Sequence, residues 1–190
     1  MRKIFTPFEW QEGRHKVSPQ PRVGYAWVLC GDGLATEKLD GTNVRLTTRN
    51  GHLVRIEKRR HPKKSQKREG ILDPWYIDAD PNDPANKHII SAVSNTDTSG
   101  WPDGEHCCEA VGPKIQGNPL GLEVNVCVPF ELRVGKIPIY HDAPRDWHAL
   151  KEYLRDLESL YSPGHLAEGI VFHHPNGSMS KIRRKDFDYD

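Results

Sequence analysis

The sequence predicts an α+β protein in which antiparallel sheets are flanked by helices. Short runs rich in β-branched and aromatic residues are joined by turns at Asp40-Gly41 and Asn50-Gly51, which is typical of antiparallel hairpins. A segment at about 143–161 instead repeats apolar residues at helical spacing. Strands are expected both before and after that helix, which favours α+β over a doubly wound parallel sheet.

Length and composition predict one domain with one sizeable core. The chain has 190 residues, of which 36% are hydrophobic and 28% are charged. We expect a single domain over 1–190 that begins with a polar N-terminal arm at 1–23. A polar, partly helical insertion is expected at about 62–105, where Asp83-Pro84 can begin a helix.

The expected strands follow one another along the chain. The arm should lead into a strand at 25–30, and an antiparallel meander should follow at 35–39, 44–48 and 52–57. Later strands are expected at 105–111, 124–132, 169–173 and 180–183. The helix at about 143–161 should have Pro144 in its first turn and should stop at Ser162-Pro163-Gly164.

The overall charge does not demand a polyanionic partner, because 27 basic and 26 acidic residues give a net charge of +1. Positive charge is nevertheless concentrated in two stretches, 58–68 and 181–185. Each stretch fits either a solvated face or a local phosphate-binding surface. Any phosphate binding must therefore come from local clustering.

Features of targeting and redox chemistry predict a cytoplasmic protein. The four cysteines show no Cys-x-x-Cys spacing and no framework typical of small secreted folds. The first residues lack the apolar run of a signal peptide, and no stretch is long enough to span a bilayer.

Residues 37–43 read Glu-Lys-Leu-Asp-Gly-Thr-Asn, which places Lys38 two residues before an Asp-Gly turn. A lysine amine attacks phosphorus only when it is neutral, and burial or nearby cations favour the neutral form. Gly41 can adopt a positive φ and admit a phosphate, while Asp40 and Asn43 offer polar groups. Taken alone, this heptad is also typical of an ordinary turn.

Two later segments give the heptad a context. Residues 168–172 read Glu-Gly-Ile-Val-Phe, and residues 181–187 read Lys-Ile-Arg-Arg-Lys-Asp-Phe. In this order, from residue 37 to 187, the segments resemble the motifs of the covalent nucleotidyltransferase superfamily of polynucleotide ligases and capping enzymes. The resemblance is closest to the ATP-dependent RNA ligases, and it implies the nucleotidyltransferase fold of a ligase adenylation domain.

The resemblance implies roles for the reacting groups. Lys38 would be the nucleophile that accepts AMP from ATP, and Glu168 would hold the catalytic Mg²⁺, with Mn²⁺ as a possible substitute. Lys181 and Arg183 would contact the α-phosphate. The family often has lysine at the position of Arg183, so the same contact has two further candidates, Arg184 and Lys185.

The resemblance also implies contacts to the rest of the nucleotide. Glu37 would lie on the adenine side, and Phe130 would stack on the adenine. Glu109 would bind the ribose or a metal-bound water. Asn43 would contact the metal and phosphate region, and Arg59 corresponds to the arginine that follows the first motif.

The implied reaction joins or repairs RNA in three steps. Lys38 takes AMP from ATP, AMP passes to an RNA 5′-phosphate, and a 3′-hydroxyl then displaces AMP and seals the strand. Because the sequence ends three residues past Phe187, we expect this protein to lack the oligonucleotide-binding barrel of DNA ligases and capping enzymes. The alternatives are a minimal DNA ligase, a capping-type guanylyltransferase, or a nucleotide- or nucleic-acid-binding module without turnover.

Overall fold

The computed structural model describes residues 3–135 and 137–189, so the first two residues of the predicted arm lie outside the described residues. The strands are β1 (Phe8–Trp10), β2 (Val17–Pro21), β3 (Leu34–Lys38), β4 (Thr42–Arg49), β5 (His52–Arg60), β6 (Trp75–Asp78), β7 (Gly104–Val111), β8 (Val126–Pro129), β9 (Gly169–His173) and β10 (Met179–Arg183). The α-helices are α1 (Ala26–Leu29), α2 (Lys64–Arg68), α3 (Lys87–Ser94) and α4 (Trp147–Arg155). Within the described residues, no helix is long and apolar enough to cross a membrane.

The chain divides into two compact units. We call them the Asn43 unit, which is built on Asp40–Ile137, and the Lys38 unit, which comprises Ile4–Leu39 and Pro138–Asp190. Each unit contains its own cluster of buried apolar side chains. The predicted single-domain organisation stays a prediction.

The Asn43 unit contains a five-stranded antiparallel sheet in the order β6-β5-β4-β7-β8. The predicted Asn50-Gly51 turn connects β4 to β5, and both residues have positive φ (51° and 74°), as a two-residue hairpin turn requires. Helix α3 lies on one face of the sheet, where its buried residues Ile89 and Val93 join the same core as Val44.

The insertion predicted at 62–105 contributes to this sheet as well as carrying helices. Strand β6 pairs with β5, which the sequence pattern did not predict. Before α3, the Asp83 carboxylate accepts a hydrogen bond from the Ala85 N–H at 2.9 Å and so caps a short 3₁₀ turn at Pro84–Asn86.

The Lys38 unit contains the antiparallel sheet β10-β9-β3 and the small β1-β2 hairpin, which lies within the predicted arm. Helix α4 is shorter than the helix predicted at 143–161. It begins after Asp146, whose carboxylate caps the Ala149 N–H at 2.9 Å, so Pro144 lies outside the helix. Leu150 and Leu154 of α4 are fully buried in the core of this unit.

The strand predicted at 25–30 is wrong, because Ala26–Leu29 forms the single helical turn α1. Gly24 and Gly31 flank this turn with positive φ, and the Cys30 N–H donates to the Ala26 carbonyl at 3.0 Å. A short apolar run carries no periodicity that separates a buried helical turn from a strand.

The predicted meander is also wrong at its first strand. β3 pairs with β9, so Asp40-Gly41 leads from one sheet to another and is not a hairpin turn. Gly41 is absent from the positive-φ residues of the described chain. Glycine is required there for a different reason, because a Cβ atom would lie 2.2 Å from the Ala110 carbonyl oxygen.

Candidate active site

The sheet β10-β9-β3 brings three distant chain segments together. Lys38 pairs with Gly169 on β9, and Gly169 pairs with Arg183 on β10. Lys181 lies two residues before Arg183, so its side chain is on the same face of the strand. One face of this sheet therefore carries Lys38, Lys181 and Arg183, with Glu168 immediately before the central strand.

Glu168 is the carboxylate that pairs with the cationic side chains on this face of the sheet. Its Oε2 accepts a short hydrogen bond from Lys38 Nζ, which also donates to the Leu39 carbonyl at 3.2 Å. Its Oε1 lies 3.4 Å from Lys185 Nζ and 4.0 Å from Arg183 Nη1. The Lys38 and Glu168 side chains are only 17% and 12% exposed, so water screens this ion pair weakly.

Lys181 experiences the excess of positive charge on this face. Burial is the main cause that lowers its pKa to about 8, and the positive charges of Lys38 and Arg183 lower it further. Glu168 acts in the opposite direction without cancelling the effect. A face on which an ammonium group is destabilised in this way favours an added anion such as a phosphate.

Arg184 and Lys185, the other two candidates for a phosphate contact, follow β10 in a 3₁₀ turn. The Arg184 main-chain N–H donates to the Glu168 carbonyl at 3.0 Å. The Lys185 side chain is 61% exposed, whereas that of Arg183 is 24% exposed. Of the three residues, Arg183 is the one that the strand register aligns with Lys38.

Glu37 lies on the opposite face of β3 and is 1% exposed. Its carboxylate accepts hydrogen bonds from the Ser159 hydroxyl, the Tyr161 N–H at 2.9 Å and the Tyr140 hydroxyl at 3.3 Å. Burial, followed by the charge of Glu37, raises the pKa of Tyr140. The predicted adenine contact of Glu37 stays a prediction, and sequence reasoning missed these internal partners.

The Asn43 unit carries four predicted site residues, three on the strands of its sheet and Phe130 directly after the last strand. Asn43 on β4 pairs with Glu109 on β7, and the Glu109 Oε1 accepts from the Gly41 N–H at 3.2 Å. On β5, Lys58 pairs with Val44 of β4. Arg59 follows Lys58 and Asn43 precedes Val44, so the antiparallel register brings Arg59 next to Asn43. Phe130 follows β8, where its N–H donates to the Cys107 carbonyl at 2.9 Å.

Tyr76 on β6 contacts one of the predicted site residues, and sequence reasoning missed it. Its hydroxyl donates to the Asn43 Oδ1 at 2.6 Å, and β6 pairs it with Arg59. Arg45 lies over its ring at 4.5 Å and is held by the Glu57 carboxylate through bonds of 2.7 and 2.8 Å. No sequence signal pointed to Tyr76, because the strand that carries it was not predicted.

The donor set fits a cation that takes most of its ligands from a substrate and water. In the part of the chain that the structure describes, no group of three or more His, Cys, Asp or Glu side chains is arranged to hold a metal ion. Glu168 offers one largely buried carboxylate beside Lys38. Mg²⁺ commonly binds through one or two carboxylates together with substrate phosphates, so Glu168 suits that mode.

No protein-family model matches this sequence, and a search of curated proteins finds no match. Solved structures of Naegleria gruberi RNA ligase do match the fold. An apo mutant aligns with a TM-score of 0.53 and 14% identity over 95% of this chain and 59% of that chain. The ligase with PPi aligns with a TM-score of 0.50 and 16% identity over 96% and 59%, and a mutant with ATP and Mn aligns with a TM-score of 0.50 and 14% identity over 97% and 62%.

At these identities the likeness concerns the fold. This chain spans about three fifths of the length of those ligase chains. The mixed fold with antiparallel sheets, predicted from the sequence, is thus shared with the matching part of an RNA ligase.

Proposed function

We propose that this protein is an ATP-dependent RNA ligase in which Lys38 is the residue that becomes adenylated. The observation that carries the proposal is the alignment of Lys38, Lys181 and Arg183 on one sheet face beside the Glu168 carboxylate. The fold likeness to Naegleria gruberi RNA ligase structures, some with ATP or AMP and Mn, supports the same reaction class.

In the first step, the Lys38 ammonium loses a proton to water, and the neutral Nζ then attacks the α-phosphorus of ATP. A phosphorus–nitrogen bond forms, the bond from the α-phosphorus to the bridging oxygen breaks, and pyrophosphate leaves with the electron pair. The nitrogen is positively charged once it is bonded to phosphorus, and it then loses one proton to water. Glu168 orients the amine through its hydrogen bond, while Lys181 and Arg183 stabilise negative charge on the α-phosphate.

A divalent ion held by Glu168, either Mg²⁺ or Mn²⁺, would neutralise further phosphate charge when bound. For the nucleotide itself, we propose that Glu109 contacts the ribose or a metal-bound water and that Phe130 stacks on the adenine. Asn43 and Arg59 are proposed to contact the phosphate region, and Glu37 to lie on the adenine side.

In the later steps, AMP passes to an RNA 5′-phosphate and an RNA 3′-hydroxyl displaces it. We propose that the basic stretch at 58–68 tracks the RNA backbone. Lys58 is not expected to contact RNA, because its Nζ donates a hydrogen bond to the Asn86 side chain and lies 4.0 Å from the Asp83 carboxylate. Arg59 is already proposed to contact the nucleotide. The remaining Lys and Arg residues of the stretch that would contact RNA phosphates are then Arg60, Lys63, Lys64, Lys67 and Arg68.

The test is covalent labelling with α-labelled ATP or GTP and Mg²⁺, read on a denaturing gel. Wild type should be labelled by ATP, Lys38→Ala should not, and Lys87→Ala, which removes an exposed lysine of α3, should label normally. The adduct should then discharge onto 5′-phosphorylated RNA. Labelling by GTP would indicate capping chemistry, discharge onto DNA alone would indicate a DNA ligase, and no label with either nucleotide would overturn the proposal.

A further inference from the structure

We propose that Asp186 is a positioning residue that holds the Arg183 guanidinium in place for the α-phosphate. This inference rests on the proposed function, and it assigns the phosphate contact to Arg183 and not to Arg184 or Lys185. The carboxylate responsible is three residues beyond the arginine, at the end of the 3₁₀ turn that follows β10.

The Asp186 carboxylate holds Arg183 by both its side chain and its backbone. Arg183 Nη2 donates to Oδ1 at 2.6 Å, Nε lies 3.1 Å from both carboxylate oxygens, and the Arg183 main-chain N–H donates to Oδ2 at 2.9 Å. Asp186 is 1% exposed. A buried carboxylate with several donors from one residue fixes the orientation of that residue strongly.

Asp186 contacts the Nε and Nη2 side of the guanidinium, whereas Nη1 lies on the side of Glu168. Nη1 is 4.0 Å from the Glu168 Oε1, and Oε2 of the same carboxylate receives the Lys38 amine. The β10-β9-β3 register aligns Arg183 with Lys38 across Gly169. A phosphate beside Lys38 would therefore meet the Nη1 edge of Arg183.

The pairing also explains why arginine stands where the resembled family often has lysine. A guanidinium has donors on two edges, so one edge can bind Asp186 while the other binds a phosphate. A lysine has one compact ammonium group and cannot present two such edges. Asp186 should therefore be useful to catalysis only while residue 183 is arginine.

This dependence can be tested with Asp186→Asn, Arg183→Lys and the double variant. The measurements are the rate constant of lysine–AMP formation at saturating ATP, the ATP concentration for half that rate, and the thermal midpoint of unfolding. Each single variant should lower the rate constant by at least tenfold. The rate constant of the double variant should be within threefold of that of the slower single variant, because both changes break the same arrangement.

A matched control is available in the same unit. Arg155 and Glu152 form an exposed ion pair, also three residues apart, with bonds of 2.8–2.9 Å. Glu152→Gln should leave the rate constant within twofold of wild type. If Asp186→Asn does not fold, Asp186→Glu replaces it in the same cycle, since it keeps the charge but moves it by one methylene.

Rate effects that multiply in the double variant would overturn the inference, because Asp186 would then act independently of Arg183. A wild-type protein that is not labelled would overturn the proposed function instead. In that case calorimetric titration with ATP decides the inference: weaker binding in Asp186→Asn, but not in the Arg183→Lys background, supports it. Absence of ATP binding by wild type would overturn both.

Discussion

Lys38 Nζ and the Glu168 carboxylate form a hydrogen-bonded ion pair although they are 130 residues apart in the chain. The antiparallel pairing of β3 with β9 produces this meeting, because Lys38 lies opposite Gly169 and Glu168 directly precedes that glycine. The proposed nucleophile and the proposed metal-binding carboxylate are thus positioned by the same strand register.

Glu168→Gln should reduce lysine–AMP formation by about 100-fold or more, since it removes the negative charge but keeps the size of the side chain. Lys38 and Lys185 would lose their shared counterion, and the proposed metal site would lose its carboxylate. The labelling rate should be measured over a range of Mg²⁺ concentrations. Glu12→Gln, which changes an exposed carboxylate, is the control, and equal rates for Glu168→Gln and wild type would contradict the assignment.

The elements that could be predicted from the sequence are those with a local signal. Asn50-Gly51 marks the β4–β5 hairpin because both positions need positive φ, and the strands at 169–173 and 180–183 carry clear β patterns close to the observed bounds. Asp40-Gly41 has the same local pattern as a hairpin, yet β3 pairs with a strand more than 130 residues away. Partner choice between distant strands leaves no trace in the turn itself.

The candidate site residues also divide into those with a local sequence signal and those that only the folded chain reveals. Lys38, Glu168, Lys181 and Arg183 lie in ordered motifs, so the sequence pointed to all four. Tyr76 and Asp186 act through other side chains, and their relevance depends on hydrogen bonds to Asn43 and Arg183 that only the folded chain reveals. Supporting residues of this kind have no fixed spacing from the groups that they hold.

Gly169→Ala should destabilise the Lys38 unit by about 1–3 kcal/mol. An added Cβ atom would lie 2.2 Å from the Ile182 carbonyl oxygen and 2.6 Å from the Arg183 Cα, and backbone atoms of a paired strand cannot move aside cheaply. Urea unfolding measures the loss. The comparison variant is Gly100→Ala, where nothing lies within 4 Å of the added atom, and an equal effect at both positions would refute the packing argument.

Tyr76→Phe should lower the free energy of unfolding by about 1 kcal/mol, because the Asn43 amide loses the hydroxyl that donates to its Oδ1. If Asn43 contacts the phosphate region, the ATP concentration for half-maximal labelling should also rise severalfold. Tyr153→Phe removes a solvent-exposed 2.8 Å hydrogen bond to Asp142, so it should change the unfolding free energy less and leave labelling unchanged. Tyr76→Phe that matches wild type in both measurements would exclude a positioning role.

Lys181→Met should make the protein more stable and less active. The folded-state pKa of Lys181 is lowered to about 8 from its ordinary value of 10.5, so below pH 8 the folded protein carries a charge that burial and its cationic neighbours disfavour.

Removing the Lys181 charge should raise the free energy of unfolding by about 1–2 kcal/mol at pH 7, which is less than the full pKa shift implies because the side chain is partly exposed to water. As pH rises from 8 to 10.5, wild-type Lys181 loses its proton in the folded state before it does so in the unfolded state, and the advantage of the methionine variant should disappear. Urea unfolding at pH 7, 8, 9 and 10 follows this change, with Lys87→Met as a variant that should show no such pH dependence. If the increase in the free energy of unfolding stays constant across this pH range, packing of the methionine, and not relief of charge, stabilises the variant. If the increase shows the predicted pH dependence and the variant also loses labelling, then the charge of Lys181 lowers stability at the same position where it is proposed to bind the phosphate.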